Sequence, residues 1–191
     1  MSNIGNYENL DDMELWEDLR NNDRDALNEI YRRYIDVLYA YGNRISNDHG
    51  LVEDSIQEVF ITIWEKRQKI KKTTSVKFYL FKSLKRRIFR NLKSSKKFGF
   101  QYDFSESSLA AKLRTEPTTE TLDEVTIKKI HQSLNQLTNR QKEIIYLRFY
   151  ARLEYPEIAE VMGLTVKATY KLLARAIQRL KDNFRFTLIF L

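Results

Sequence analysis

The sequence predicts an all-α protein built as two small helical domains joined by a flexible linker, and three observations carry that prediction. Glycine and proline are scarce, five and two in 191 residues, so the chain has few of the residues that hairpin turns demand. Apolar residues recur at i, i+3 and i+4 through most of both halves, the spacing of helices buried along one face. Between the halves, residues 94–119 lose that period and hold Ser, Thr, Gly and one of the two prolines, a linker composition. A hydrophobic fraction of 42% is enough to build real cores. The expected limits are 8–94 for the first domain, 95–120 for the linker, 121–184 for the second domain and 185–191 for an apolar tail.

In chain order, Asp11 or Asp12 caps a short helix carrying Leu15, Trp16 and Leu19. Asp23 caps a second, with Leu27, Ile30, Tyr31, Tyr34, Ile35 and Leu38 at helical spacing. Residues 42–50, bounded by Gly42 and Gly50 and rich in Asn, Ser and Asp, read as a turn. A third helix aligns Val52, Ile56, Val59, Phe60, Ile63 and Trp64, and its other face carries Glu53, Asp54, Gln57, Glu58 and Thr62. After a basic turn at 69–75, a fourth helix spans about 76–92, with Phe78, Phe81, Phe89 and Leu92 close to one face. Thr121 with Glu124, and Thr138 with Gln141, have the capping-box spacing. The first opens a helix closed by Leu134 and Leu137; the second opens one with Ile144, Ile145, Leu147 and Phe149 inside. Pro156 suits the first turn of a helix that stops at Gly163, and Thr165 caps a last helix reaching about Phe184.

Net charge is +7, and its distribution says more than its total. Residues 1–65 hold 15 acids and 5 bases, residues 66–97 hold 14 bases and no acid, and the remainder holds 11 acids and 14 bases. An acid-free basic stretch repels itself unless a polyanion lies nearby. Cysteine is absent, which removes disulfide and thiolate chemistry. The acidic N-terminus lacks the basic start and apolar core of a signal peptide. No apolar run approaches the ~20 residues that span a bilayer. The expectation is a cytoplasmic protein without direct membrane insertion.

The stretch YPEIAEVMGLTVKATYK, residues 155–171, reads as a helix-turn-helix. Ile158, Ala159 and Met162 face inward, Gly163 supplies a positive φ at the turn, and Leu164 and Val166 plug the gap. The second helix then presents Lys167, Thr169, Tyr170, Lys171 and Arg175, while Leu172, Leu173, Ala176 and Leu180 remain for the core. A helix N-terminus attracts phosphate, and its first turns reach base edges in the major groove. Arg148 and Arg152 flank the unit as further phosphate contacts. An ordinary helical hairpin with a solvated basic face is the alternative.

The fourth helix interleaves Lys77, Lys82, Lys85, Arg86, Arg87, Arg90 and Lys93 with aromatic rings. Positive charge tracks a nucleic-acid backbone and rings stack on unpaired bases. Most of these aromatics read as core, and Tyr79 is the better candidate for base contact. Asp54, Gln57 and Glu58 form a compact acidic patch, either a solvated face or a dock for a basic protein surface. His49 and His131 lack any catalytic constellation, no glycine-rich phosphate loop occurs, and zinc has no ligand set. No cofactor, metal or small-molecule substrate is expected, and the chain is not read as an enzyme.

Together these motifs resemble the extracytoplasmic-function sigma factors, two-domain members of the sigma-70 family. Val52-Glu-Asp-Ser-Ile-Gln-Glu-Val-Phe60 followed by Ile63-Trp64 looks like the helix that clamps core RNA polymerase. Tyr79-Leu-Phe-Lys82 and the bases after it look like the helix that melts and reads the minus-ten element. Leu134-x-x-Leu137, Leu147-Arg148-Phe149-Tyr150 and residues 155–163 look like the distal-promoter domain. The resemblance implies sigma domain 2 followed by sigma domain 4, and an alternative-sigma initiation factor acting with core RNA polymerase on promoter DNA. It places Asp54, Gln57 and Glu58 on the polymerase. It places Lys72, Thr73, Ser75 and Lys77 near a flipped-base loop, with Tyr79, Lys82, Lys85 and Arg86 on the minus-ten DNA. Arg148, Lys167, Thr169, Tyr170, Lys171 and Arg175 would meet the minus-thirty-five element.

Such proteins are commonly held inactive by an anti-sigma factor, a partner the resemblance implies here, and the tail is a candidate docking element for it. Tyr170, Leu172 and Arg86 depart from common family choices, which points to an altered promoter sequence. The tyrosine-bearing recognition helix and apolar tail resemble variants common in Bacteroides-type bacteria. A conventional helix-turn-helix regulator with an N-terminal sensor or dimerisation domain is the other reading, but it gives the acid-free helix no purpose. A helical enzyme acting on nucleic acid lacks an acidic metal cluster or a nucleophile.

Overall fold

A computed structural model of the chain describes residues 7–94 and 132–189, the last seven by backbone only. Every regular element among the described residues is helical. The chain divides into two compact units, residues 1–100 and 101–191.

The first unit begins with a 3₁₀ turn, Tyr7–Asn9, and continues with α1 (Asp12–Arg20), α2 (Arg24–Ile45), α3 (His49–Lys66) and α4 (Val76–Ser94). Carboxylates start the first three helices. Asp11 accepts from the Met13 and Glu14 amides while Glu14 returns a bond to the Asp11 amide, a complete capping box. Asp23 accepts from Asp25 and Ala26, and Asp48 accepts from Leu51. At α4 the cap is a hydroxyl, with the Phe78 amide donating to Ser75 Oγ at 3.1 Å.

α2 packs on α1, α3 and α4, and α3 packs on α4. The core between them holds Leu15, Trp16, Leu19, Ile30, Leu38, Tyr41, Ile56, Ile63, Leu80, Phe81, Leu84 and Ile88, all nearly sealed from solvent. Burial of each large aliphatic side chain contributes about 1.5–3 kcal/mol. The expected apolar face of α4 needs correction. Phe81 is core with Leu80, Leu84, Ile88 and Leu92, whereas Phe78 and Phe89 are only half-buried.

The expected turn at 42–50 also shrinks. α2 runs through Gly42 to Ile45, and α3 begins at His49. Gly42 serves packing rather than turning: a Cβ there would lie 2.5 Å from Val52 Cγ1 and 3.4 Å from Ile88 Cδ1. Its missing side chain lets α2 and α3 approach closely.

In the second unit, residues 132–135 are helical and lead to α5 (Asn139–Ile145), a π-helical turn (Tyr146–Tyr150), α6 (Tyr155–Met162) and α7 (Val166–Ile189). Thr138 and Gln141 form the expected capping box. Pro156 stands in the first turn of α6, and Gly163 closes that helix at φ 64°. Thr165 accepts from the Ala168 amide at 3.2 Å, so it caps α7 as expected.

The π turn overturns one expectation. The Ala151 amide donates to the Tyr146 carbonyl at 2.9 Å, five residues back, and Phe149 is 58% exposed rather than inside. One extra residue in the wide turn breaks the 3.6 period, so Ala151 and Leu153 take the buried places that simple spacing gave to Phe149. The Thr121 box, the linker and the tail's side chains lie outside the described residues.

Candidate nucleic-acid interface

The acidic face of α3 is split by the structure. Asp54 and Gln57 are exposed, while Glu58 leans toward α4. Its carboxylate lies 3.1 Å from the Arg87 guanidinium and accepts from Asn91 Nδ2 at 3.0 Å. Arg87 also donates to Thr62 Oγ1 at 3.1 Å, and Asn91 donates to Ser55 Oγ at 3.2 Å. This polar lattice joins α3 to α4, so one arginine of the acid-free stretch is paired across the helix interface. Sequence spacing did not single out Ile61, which is 56% exposed beside the acidic residues. The signal was present: an isoleucine off the apolar stripe, three and four residues after Glu58 and Gln57.

A cleft of about 250 Å³ opens between α3 and α4. Val59, Ile63 and Tyr79 supply apolar walls, Thr62 and Ser83 supply hydroxyls, and Arg86, Arg87 and Arg90 supply charge. Tyr79 leans on Trp16 with ring centroids 5.0 Å apart, and burial raises its phenol above the ordinary range. Its ring is therefore a less acidic phenol than one in water. With Arg87 held by Glu58 and Thr62, a slot with an aromatic wall and the Arg86 and Arg90 guanidinium groups suits a base and its phosphates. Tyr79 and Arg86 were expected at this site; Arg87, Arg90 and Ser83 line the cleft with them.

The remaining expected residues of this unit lie elsewhere. Lys82 and Lys85 do not line the cleft, and Lys82 Nζ sits 5.1 Å from the Phe78 ring centroid. Thr73 and Ser75 hydroxyls serve the turn before α4: Thr73 Oγ1 donates to the Ser75 carbonyl at 3.0 Å and accepts from the Ser75 amide at 3.2 Å. α1 holds that turn, since Arg20 Nε donates to the Ile70 carbonyl at 3.0 Å. Lys72 is exposed 3.6 Å from Glu17, whose carboxyl the Arg20 guanidinium holds below its usual range. Lys77 is half-buried in the first turn of α4.

In the second unit, α7 packs on α5 and α6. Leu173 and Ala176 face the core, whereas Leu172 and Leu180 are only half-buried. Lys167, Tyr170, Lys171 and Arg175 are exposed. Thr169 is a correction: it is fully buried, and its hydroxyl donates to the Thr165 carbonyl at 3.1 Å. One helical position separates it from Tyr170, and that 100° rotation carries it from the open face into the core. Arg148 is engaged within the unit. It donates to the Leu153 carbonyl at 2.9 Å, pairs with Glu154 at 3.1 Å and lies 4.9 Å from the Tyr155 ring centroid.

Residues 30–98 match the family Sigma-70 region 2, and residues 127–180 match Sigma-70, region 4. Among curated relatives, the chain is 22% identical over 160 residues to RNA polymerase sigma factor YlaC of Bacillus subtilis, covering 84% of this chain and 92% of that protein. It is 26% identical over 161 residues to RNA polymerase sigma factor NccH of Alcaligenes xylosoxydans xylosoxydans, covering 83% and 86%. Among solved structures, CnrH in complex with the cytosolic domain of CnrY is similar in fold, with TM-score 0.57, 20% identity and coverage of 90% of this chain and 95% of that one. RpoE of Bartonella quintana, solved with the anti-sigma factor NepR, gives TM-score 0.56 at 18% identity, covering 83% and 96%. The two regional matches fall in family order and together span more than half of the chain. With one region on each helical unit, the chain belongs to the sigma-70 family as an alternative sigma factor of the extracytoplasmic-function type.

Proposed function

We propose that the chain works in the cytoplasm as a dissociable, non-enzymatic subunit of RNA polymerase that opens the minus-ten element with its first unit and reads the minus-thirty-five element with its second. The observation that carries the reading is the cleft between α3 and α4, which Tyr79 lines together with Arg86, Arg87 and Arg90. In this account a base leaves the duplex stack, its ring packs against Tyr79 and its phosphates meet Arg86 and Arg90. Lys72, Lys77, Lys82 and Lys85 attract the flanking backbone, and Thr73 and Ser75 shape the turn beside it.

Asp54, Gln57 and Ile61 bind core polymerase, with charges steering the encounter and the exposed isoleucine supplying apolar contact. Glu58 supports that face through Arg87. Lys167, Tyr170, Lys171 and Arg175 approach the major groove of the distal element, and Arg148 shapes its border. An anti-sigma factor, the kind of partner named for the Bartonella protein, would restrain the chain by covering these faces. The likeness to Bacteroides-type variants rests on the identity of Tyr170 in the sequence. The conventional-regulator reading leaves the region 2 match without a role.

Permanganate probing of promoter DNA tests the melting step. Core polymerase with the wild-type chain should expose unpaired thymines near the minus-ten element, and Tyr79→Ala should reduce that reactivity. Undiminished reactivity with Tyr79→Ala in a folded, polymerase-bound protein would remove the cleft from the mechanism.

A further inference from the structure

The exposed face of the second unit carries an aromatic column that the proposed DNA contacts leave unexplained. Tyr170 stands in the second turn of α7 and is 52% exposed. Its ring stacks on Tyr155, the first residue of α6, with centroids 3.8 Å apart and planes 22° from parallel. Arg148, from the π-helical turn, places its guanidinium 4.9 Å from the Tyr155 centroid while holding the Leu153 carbonyl and the Glu154 carboxylate. Glu157 in turn fixes the start of α6 by accepting from the Glu154 amide at 2.7 Å. Three elements thus converge on one ring that is itself only half-buried.

We infer that Tyr155 is a positioning residue that fixes the orientation of Tyr170 and so helps set which base pair the second unit prefers. The inference rests on the reading of α7 as the helix that meets duplex DNA. A tyrosine free on a helix surface samples several rotamers and meets different base edges equally. Stacked on Tyr155, Tyr170 has one face covered and presents its remaining edge and hydroxyl in one direction. Ordering before binding lowers the entropy cost of the contact and sharpens discrimination. Arg148 acts through Tyr155, restraining the ring that restrains Tyr170. Ordinary packing between α6 and α7 would produce the same contact without affecting base preference, and that difference is measurable.

The test is selection from a double-stranded DNA pool, randomised across the upstream promoter element, by core polymerase carrying the full-length chain. The wild type should enrich a motif, and Tyr155→Phe should enrich the same one. Tyr155→Ala should lose about tenfold discrimination at the position that Tyr170→Ala also loses, with affinity for non-promoter duplex unchanged. The double variant should be no worse than Tyr170→Ala alone. Tyr155→Leu, which keeps apolar bulk without the stack, provides the same reading if the alanine variant fails to fold. Retention of the wild-type motif by Tyr155→Leu, or additive losses in the double variant, would overturn the positioning role alone. Failure of the wild type to enrich any upstream motif would overturn the minus-thirty-five reading and this inference with it.

Discussion

The Glu58 carboxylate and the Arg87 guanidinium lie 3.1 Å apart across α3 and α4, so the acidic face and the basic cleft of the first unit share one ion pair. The pair is partly exposed on the Glu58 side and contributes at most about 1 kcal/mol. Its larger consequence is that neighbouring carboxyl groups on α3 differ in setting, Glu58 being held by α4 and Asp54 exposed. Asp54→Lys should weaken core polymerase binding at least about tenfold with little change in melting temperature, because Asp54 is exposed. Glu58→Ala should lower both, because Arg87 and Asn91 lose the charged acceptor they share and keep only the Thr62 and Ser55 hydroxyls. Polymerase titration beside thermal unfolding separates the two; equal behaviour of the variants would contradict the division.

The close approach of α2 to α3 at Gly42 makes a second prediction. Gly42→Ala places a methyl group 2.5 Å from Val52 Cγ1, an overpacking that should cost about 1–3 kcal/mol. Val52→Ala in the same chain should recover part of that loss, and denaturant unfolding of the two single variants and the double variant measures the coupling. Additive losses would show that the helices shift instead.

On α7, burial separates two residues that spacing alone grouped together. Thr169→Val keeps the side-chain shape inside the core and should leave promoter choice intact. Arg175→Ala should weaken use of the upstream element by about 1–3 kcal/mol. Competition between promoter fragments with intact and altered upstream elements checks both.

Acid stability should depend on Glu29. This carboxylate is buried and accepts from Arg32 at 2.9 Å and Arg33 at 2.7 Å, and the Arg32 guanidinium foremost, with Arg33, holds it below its usual range. The folded chain therefore protonates Glu29 less readily than the unfolded chain. The resulting stabilisation is fully present above about pH 4.3 and is lost as pH falls through the lowered native value. Glu29→Gln should reduce stability at neutral pH and flatten that part of the acid limb. An unchanged limb in chemical unfolding from pH 7 down to about 3 would contradict this.

Most of the helices were legible because their signals are local. Asp11, Asp23, Thr138, Pro156, Gly163 and Thr165 each act within a few residues of themselves, and each does what its spacing implies. Where a long-range contact or an irregular turn decided the matter, spacing misled. Gly42 resembles a turn residue because nothing local reveals that Val52 packs against its α-carbon. Phe149 is moved outward by a π turn that no periodic template contains.

The candidate sites divide in the same way. Charge and aromatic content pointed to α4, but the cleft that gathers Tyr79 with Arg86, Arg87 and Arg90 depends on how α4 lies on α3. The stack of Tyr155 on Tyr170 joins residues fifteen positions apart, beyond the reach of spacing rules. Thr169 was misplaced because its polar side chain hides in the core by bonding its own helix.

In the proposed function, this chain gives core RNA polymerase its choice of promoter. Run-off transcription with purified core polymerase and genomic promoter fragments measures that choice. Discrete transcripts that require the chain should appear, and both Asp54→Lys and Tyr79→Ala should weaken them. Absence of chain-dependent starts, together with no measurable binding to core polymerase, would contradict that function.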